Sequence, residues 1–369
     1  MVKTNHLPLE MGKGGYMTLR EWGWDDQWAQ QVAQLSSDSR GIARVVGQDR
    51  ASWSIQTESG PETARLPSAL GVHPSPVVGD WVLAEPGPMP TDPWSILAVL
   101  PRRSWISRGA AGTGGGEQVL ASNVDKVWVV HGLDMPFNSR RLERYLAVVW
   151  ESGATPEVIL SKCDLADNLE ATVAQVHEVA MGAPIWLVSS EDPASINDLQ
   201  NALETGCTVS LLGPSGVGKS TLVNLLAEAT VAATGEVRAG DRKGRHTTTR
   251  RELFRIPGGA LLLDTPGMRE LRVWDLDTGL KQAFADIEDL AGGCRFRDCR
   301  HEGEPGCAVL EAIDKGVLDP GRLASFRKLQ AEAAHELRKT DPLARAAALS
   351  DWKTAMKTMK HHPKYKGRR

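Results

Sequence analysis

The apolar positions of the chain change period along its length, and each change predicts a different kind of unit. Trp28, Val32 and Leu35 recur at helical spacing, which predicts a short amphipathic helix lying on whatever follows. From Gly41 to about Leu100 the apolar residues gather instead into short runs, 41–46, 52–56, 79–84 and 95–100, broken by Gly, Pro and Asp. Several short strands so closely spaced predict a small closed β-barrel such as an OB-fold. A barrel of this kind often carries RNA on an open face, but a purely structural barrel is the alternative, because fold does not give function. The glycine-rich stretch 110–116 reads as a flexible linker.

Beyond it the pattern changes again. Apolar runs at 124–130, 156–160, 184–188, 209–212 and 260–263 alternate with helical segments. One of these, 138–152, carries Leu142, Tyr145, Leu146, Val149 and Trp150 on a single stripe. Alternation of this type predicts an α/β sheet of mostly parallel strands, with ligands at the carboxyl ends of the strands. The last periodic segments, 310–317 and 322–337, predict two helices.

The chemistry sits at those strand ends. The run 209–212 leads into Gly213, Pro214, Ser215, Gly216, Val217, Gly218, Lys219, Ser220 and Thr221, which fits G-x-x-x-x-G-K-[ST] between a strand and a helix. Glycines let backbone N–H groups turn inward around a phosphate chain, and the helix N-terminus adds positive potential. Lys219 is expected to reach the β- and γ-phosphates, and the Ser220 hydroxyl to hold Mg²⁺. The run 260–263 ends in Asp264-Thr265-Pro266-Gly267, where the acid would order the Mg²⁺ and its waters and the Gly267 amide would sense a γ-phosphate. Between the two lies Gly244-Arg245-His246-Thr247-Thr248-Thr249-Arg250. A threonine of that triplet, for which Thr248 is taken, would complete the Mg²⁺ shell in an ordering switch; a solvated basic loop is the competing reading.

A base-recognition motif is expected after Asp264 in an ordinary GTPase, and none follows. It lies upstream, where the run 156–160 ends in Ser161, Lys162, Cys163 and Asp164. A carboxylate there accepts from two guanine nitrogens at once, a pairing adenine cannot return. Ser189, at the end of the next run, is one of two small polar residues suited to offering backbone amides to the base. The order is base motif, phosphate loop, switches: a circular permutation, which is physically cheap when the original termini are close. Ras-like enzymes orient the attacking water with a glutamine after the switch glycine. Here that position is Met268, so intrinsic hydrolysis should be slow unless His246 or a partner completes the site.

A second constellation is Cys294, Cys299, His301 and Cys307, which holds three of the chain's five cysteines. Three thiolates and an imidazole match a closed tetrahedral Zn²⁺ site with a structural role. Arg295, Arg297 and Arg300 make this knuckle basic, consistent with an RNA contact or with a solvated face. Cys163 and Cys207 are expected inside sheet elements as buried fillers. Arg102, Arg103 and Arg108 around Trp105 offer cations and a stacking ring to nucleic acid, or else a linker salt-bridged to the next domain.

These motifs resemble the circularly permuted GTPases, and specifically the ribosome small-subunit-dependent GTPase A family, from about Ser39 to Ala331. The resemblance implies a multidomain chain: an N-terminal extension (1–38), an OB-fold-like barrel (39–108), a circularly permuted α/β P-loop GTPase domain (117–275), a small α-helical zinc-binding domain (276–340) and a basic tail (341–369). It also implies Mg²⁺-dependent GTP hydrolysis stimulated by the small ribosomal subunit, contact with rRNA, and a part in late maturation of that subunit. Ser161 departs from the family pattern, which has Asn there; its short side chain is expected to fall short of the phosphate loop. An RNA-binding assembly module in which the nucleotide is only structural, and a P-loop ATPase or kinase, are the rival readings.

Composition narrows the setting. A net charge of −3 over 369 residues excludes a uniformly basic nucleic-acid binder, so any RNA contact must come from local patches. Without a disulfide framework, a signal stretch or an apolar run of membrane-spanning length, the sequence predicts a cytoplasmic protein with no membrane partner, taken as a monomer.

Overall fold

Residues 18–35, 41–49, 51–67, 73–109, 117–228, 251–264 and 277–340, with helical positions 343 and 346, are described by the computed structural model. Strands β1 (Gly41–Gln48), β2 (Trp53–Thr57), β3 (Gly60–Arg65), β4 (Trp81–Glu85) and β5 (Trp94–Val99) are hydrogen-bonded in the order β1-β2-β3-β5-β4, and β4 pairs back to β1. That closes the expected barrel around Ala43, Val45, Trp53, Ile55, Ala64, Val82, Ala84 and Ile96. Strand β3 was not visible as an apolar run. Its sequence Gly-Pro-Glu-Thr-Ala-Arg turns only Gly60 and Ala64 inward, too little to show a period.

Strands β6 (Trp105–Gly109) and β7 (Glu117–Ser122) pair as a separate ribbon; the linker expected between them lies outside the described residues. The α/β sheet follows. Strands β8 (Lys126–Gly132), β9 (Thr155–Ser161), β10 (Ile185–Val188), β11 (Thr208–Leu212) and β13 (Leu261–Asp264) run parallel in the order β10-β9-β8-β11-β13, and β12 (Arg251–Arg255) adds antiparallel beside β13. Along β8 the pleat sends Val127 and Val129 into one core and Trp128 and Val130 into the other. Burial on both faces explains the unbroken apolar runs. Helices α2 (Ser139–Glu151), α3 (Leu169–Ala180), α4 (Pro193–Asn201) and α5 (Lys219–Ala227) connect them, with Asn138, Asn168 and Asp192 accepting from the first-turn N–H groups of α2, α3 and α4.

Strand β1 outruns the barrel. Its last residues, Gly47 and Gln48, stand opposite Glu252 and Arg251 of β12, so barrel and α/β sheet are one hydrogen-bonded sheet. The buried Arg44 fastens the same junction. Its guanidinium donates to the Trp22 carbonyl, the Asn123 carbonyl (3.0 Å) and Thr208 Oγ1 (2.8 Å), and burial pushes its pKa down to about 10.

Helix α1 (Asp26–Leu35) is the predicted N-terminal helix, and Trp28 on it is buried among Trp24 and Trp81. Arg103 lies 4.0 Å over the Trp28 ring and reaches both Asp25 oxygens, and Arg102 pairs with the buried Asp80. Arg102 is thus paired within the barrel and Arg103 with the N-terminal segment; neither ion pair reaches the next domain, where the salt-bridged reading expected it. The Arg108 side chain is outside the described residues.

Helices α6 (Asp277–Ala283), α7 (Ala285–Ala291), α8 (Ala308–Asp314) and α9 (Pro320–Thr340) follow the sheet. Arg322 of α9 ties them to it: nearly buried, it bonds Glu143 of α2 (3.1 Å) and both oxygens of Asp286 (2.5 and 2.8 Å), with Phe284 beneath its guanidinium. No helix among the described residues is long and apolar enough to cross a membrane. The polar start and the basic tail lie outside them.

Candidate nucleotide and metal sites

Strand β11 ends at Leu212, and the chain must turn at once. Gly213 does so with φ +154°, against Val130, whose carbonyl oxygen would lie 2.4 Å from any Cβ placed there. Gly218 (φ +92°) then opens α5 with no side chain capping its N-terminus, leaving the first N–H groups to the loop's interior. Lys219 Nζ donates to the carbonyls of Gly213 (2.7 Å) and Pro214 (2.6 Å), so the ammonium lies over the loop, and Ser220 follows in the first turn. Val217 is buried, whereas Ser215 and Gly216 are exposed at the tip.

The base motif is fastened to this loop from the end of β9. Ser161 Oγ donates to the Val217 carbonyl at 2.6 Å, with the His131 carbonyl at 3.2 Å. The expectation that serine is too short here is therefore corrected. Gly132, which pairs with Ser161 across β8 and β9, has no side chain, and a Cβ there would come within 3.4 Å of Val217 Cα. The loop approaches closely enough for a hydroxyl to serve. Lys162, at φ +56°, donates to the Gly216 carbonyl (2.9 Å) and to Asp134 Oδ2 (2.6 Å). Cys163 begins a single turn of 3-10 helix and is not in the sheet, contrary to expectation. Cys207 stands just before β11, half-buried, with its thiol pushed up to about 12 by burial, as suits a filler.

Asp164 is the middle residue of that turn and Ser189 directly follows β10. The two meet: Ser189 Oγ donates to Asp164 Oδ1, and the hydroxyl in turn accepts from the Glu191 N–H at 3.1 Å. Asp264 ends β13, paired with Glu252, but its side chain is outside the described residues. So are His246, Thr247, Thr248, Thr249, Thr265, Gly267 and Met268. No motif points to Asp134, in the turn after β8, or to His131, which is buried edge-on to Phe137 with Nε2 unpartnered among the described residues.

The ligand atoms of Cys294, Cys299, His301 and Cys307, between α7 and α8, lie within 4.8 Å of one another. Three edges of the cluster are 3.7 Å from Cys294 Sγ to His301 Nδ1, 3.9 Å from Cys294 Sγ to Cys307 Sγ, and 3.4 Å from His301 Nδ1 to Cys307 Sγ. A tetrahedral ion at about 2.3 Å from sulfur and about 2.0 Å from nitrogen needs edges of roughly 3.5–3.8 Å. The four residues fit a metal ion.

The profile of the RsgA GTPase family matches residues 99–274. A small ribosomal subunit biogenesis GTPase RsgA of Opitutus terrae is 41% identical over 366 residues, covering 95% of this chain and 100% of its own. The chain belongs to the RsgA GTPase family. Its relative of the same description in Streptomyces coelicolor is 41% identical over 343 residues, 92% of this chain and 93% of that one. Among solved structures, YjeQ from Thermotoga maritima superposes with a TM-score of 0.60 at 24% identity, covering 80% of this chain and 98% of that one. YloQ, described as a circularly permuted GTPase, gives 0.59 at 22% identity, over 80% and 95%. These two show the fold. The chain is a GTP-hydrolysing enzyme of permuted order with a barrel before it and a metal-binding helical unit after it, and the two rival readings are not favoured.

Proposed function

We propose that this GTPase acts in late maturation of the small ribosomal subunit, binding the subunit with GTP and leaving after a hydrolysis that the subunit stimulates. The observation that carries the nucleotide reading is the double clasp of Ser161 and Lys162 on the carbonyls of Val217 and Gly216. It sets the base motif beside the phosphate loop despite their reversed order in the chain. The partner is taken from the relatives' names.

In this reading guanine lies on Asp164, with Ser189 orienting the carboxylate and Lys162 along the base. The phosphates lie on residues 213–221, with Lys219 at the β- and γ-phosphates. Mg²⁺ suits the oxygen donors of Ser220 and Thr248, with Asp264 behind them, and supplies neutralisation of the phosphate charge. Gly267 reports the γ-phosphate. Met268 cannot hold a water by hydrogen bonding, so basal turnover is slow and His246, ordered by the subunit, is the candidate to complete the site. The metal in the cysteine–histidine cluster is zinc and structural, because three thiolates and an imidazole leave no position open. Arg295, Arg297 and Arg300 beside it face rRNA. The units are 39–108, 117–275 and 276–340, in a cytoplasmic monomer.

The test is single-turnover GTP hydrolysis with and without purified small subunits. Stimulation is expected for the wild type and loss of it for His246→Ala. A rate indifferent to the subunit overturns the partner; wild-type stimulation of the variant excludes the histidine.

A further inference from the structure

We propose that Asp134 is a positioning residue for nucleotide binding: its carboxylate holds the Lys162 ammonium on the phosphate loop and so fixes the lysine stem as a wall of the base site. The proposal rests on the reading of residues 161–164 as the base motif.

A lysine side chain has many rotamers, and an isolated surface ion pair fixes it poorly. Lys162 has two anchors from different parts of the chain, Asp134 Oδ2 at 2.6 Å and the Gly216 carbonyl at 2.9 Å. Its backbone leaves β9 in the left-handed region at φ +56°, an unusual conformation for a side chain of this size. The ammonium therefore sits between the turn after β8 and the tip of the phosphate loop.

The turn that carries Asp134 is built against the base motif. The Leu133 N–H donates to the Ser161 carbonyl at 2.9 Å, which places the next residue alongside Lys162. Gly132 leaves the space that the carboxylate fills: a Cβ there would lie 2.6 Å from Asp134 Oδ1. Gly132 thus serves two approaches, that of Val217 to Ser161 and that of Asp134 to Lys162. The single hydroxyl of Ser161 makes one short tie to the loop, and the Asp134–Lys162 pair adds a second.

Both side chains are about one-third exposed, 34% and 31%, so the pair is partly screened by solvent and its contribution is modest and salt-dependent. Fluorescent GDP binding to the full chain is the test. Asp134→Asn is expected to weaken GDP roughly three- to fivefold at low salt, with a smaller difference at high salt. Asp134→Glu should restore part of the loss, and KM for GTP should rise while kcat holds, as for uniform binding. In a Lys162→Ala background, adding Asp134→Asn should cost nothing further; a merely structural aspartate would cost the same in both backgrounds. Melting of the nucleotide-free chain reports whether each variant is folded. Equal GDP affinity of Asp134→Asn and wild type at low salt, or a full loss that persists beside Lys162→Ala, overturns the proposal. If wild type itself binds GDP and ADP alike, it is the base-motif reading that falls.

Discussion

The Ser161 hydroxyl donates to the Val217 carbonyl at 2.6 Å across 56 positions of sequence. This one bond joins the element that selects the base to the element that carries the phosphates. Removing it with Ser161→Ala leaves a buried carbonyl without its donor, a cost of about 1–2 kcal/mol. We expect GDP affinity to fall about tenfold with the fold retained. Stopped-flow release of labelled GDP measures this, and an unchanged release rate would show that the bond is idle.

The helices that follow the sheet depend on a different contact. Arg322→Met should destabilise the chain by about 1–3 kcal/mol, because the fully buried Glu143 would lose one of its two charged donors, keeping only Arg140 at 2.7 Å, and Asp286 would lose its bidentate partner. Urea unfolding, followed by tryptophan fluorescence, gives the value. Replacing Glu143 by Gln in the same chain should recover part of the loss.

How much of this was legible beforehand follows from where the information lies. Apolar runs report burial, so the five parallel sheet strands, the Trp28 helix and four of the barrel strands could be read directly, whereas β12 could not. Strand β3 could not, since a barrel strand with one buried side chain carries no period. Motif spacing pointed to Lys219, Asp164 and the clustered Cys294, Cys299, His301 and Cys307 as candidates, because each chemistry fixes its own residue types. It could not report Asp134 or the reach of Ser161. Both depend on how closely the phosphate loop approaches β8 and β9, and that distance is set by the absence of a side chain at Gly132.

Acid sensitivity should centre on His131. Burial is the main cause that holds its imidazole below the ordinary value of 6.5, with Arg141 adding to it. A base whose folded pKa is depressed contributes stability that is complete above the unfolded value and is lost as pH falls through the folded one. The melting temperature should therefore drop from about pH 6.5 downward. His131→Gln should flatten that part of the profile; a profile identical to wild type would assign the drop to other groups.

Elemental analysis should find one zinc per chain. Cys299→Ser should lower that occupancy, and a strong chelator should reduce melting temperature, because the segment between α7 and α8 has turns and no strand or helix of its own to hold it. Full zinc content in the serine variant would remove Cys299 from the ligand set.

The pairing of Gly47 and Gln48 with Glu252 and Arg251 means that the barrel is not a passenger on a string. Swinging it away would require breaking main-chain hydrogen bonds and baring two strand edges to water. Whatever large surface this molecule meets, it meets as a single stiff template, with the spacing between barrel and nucleotide pocket already set at synthesis.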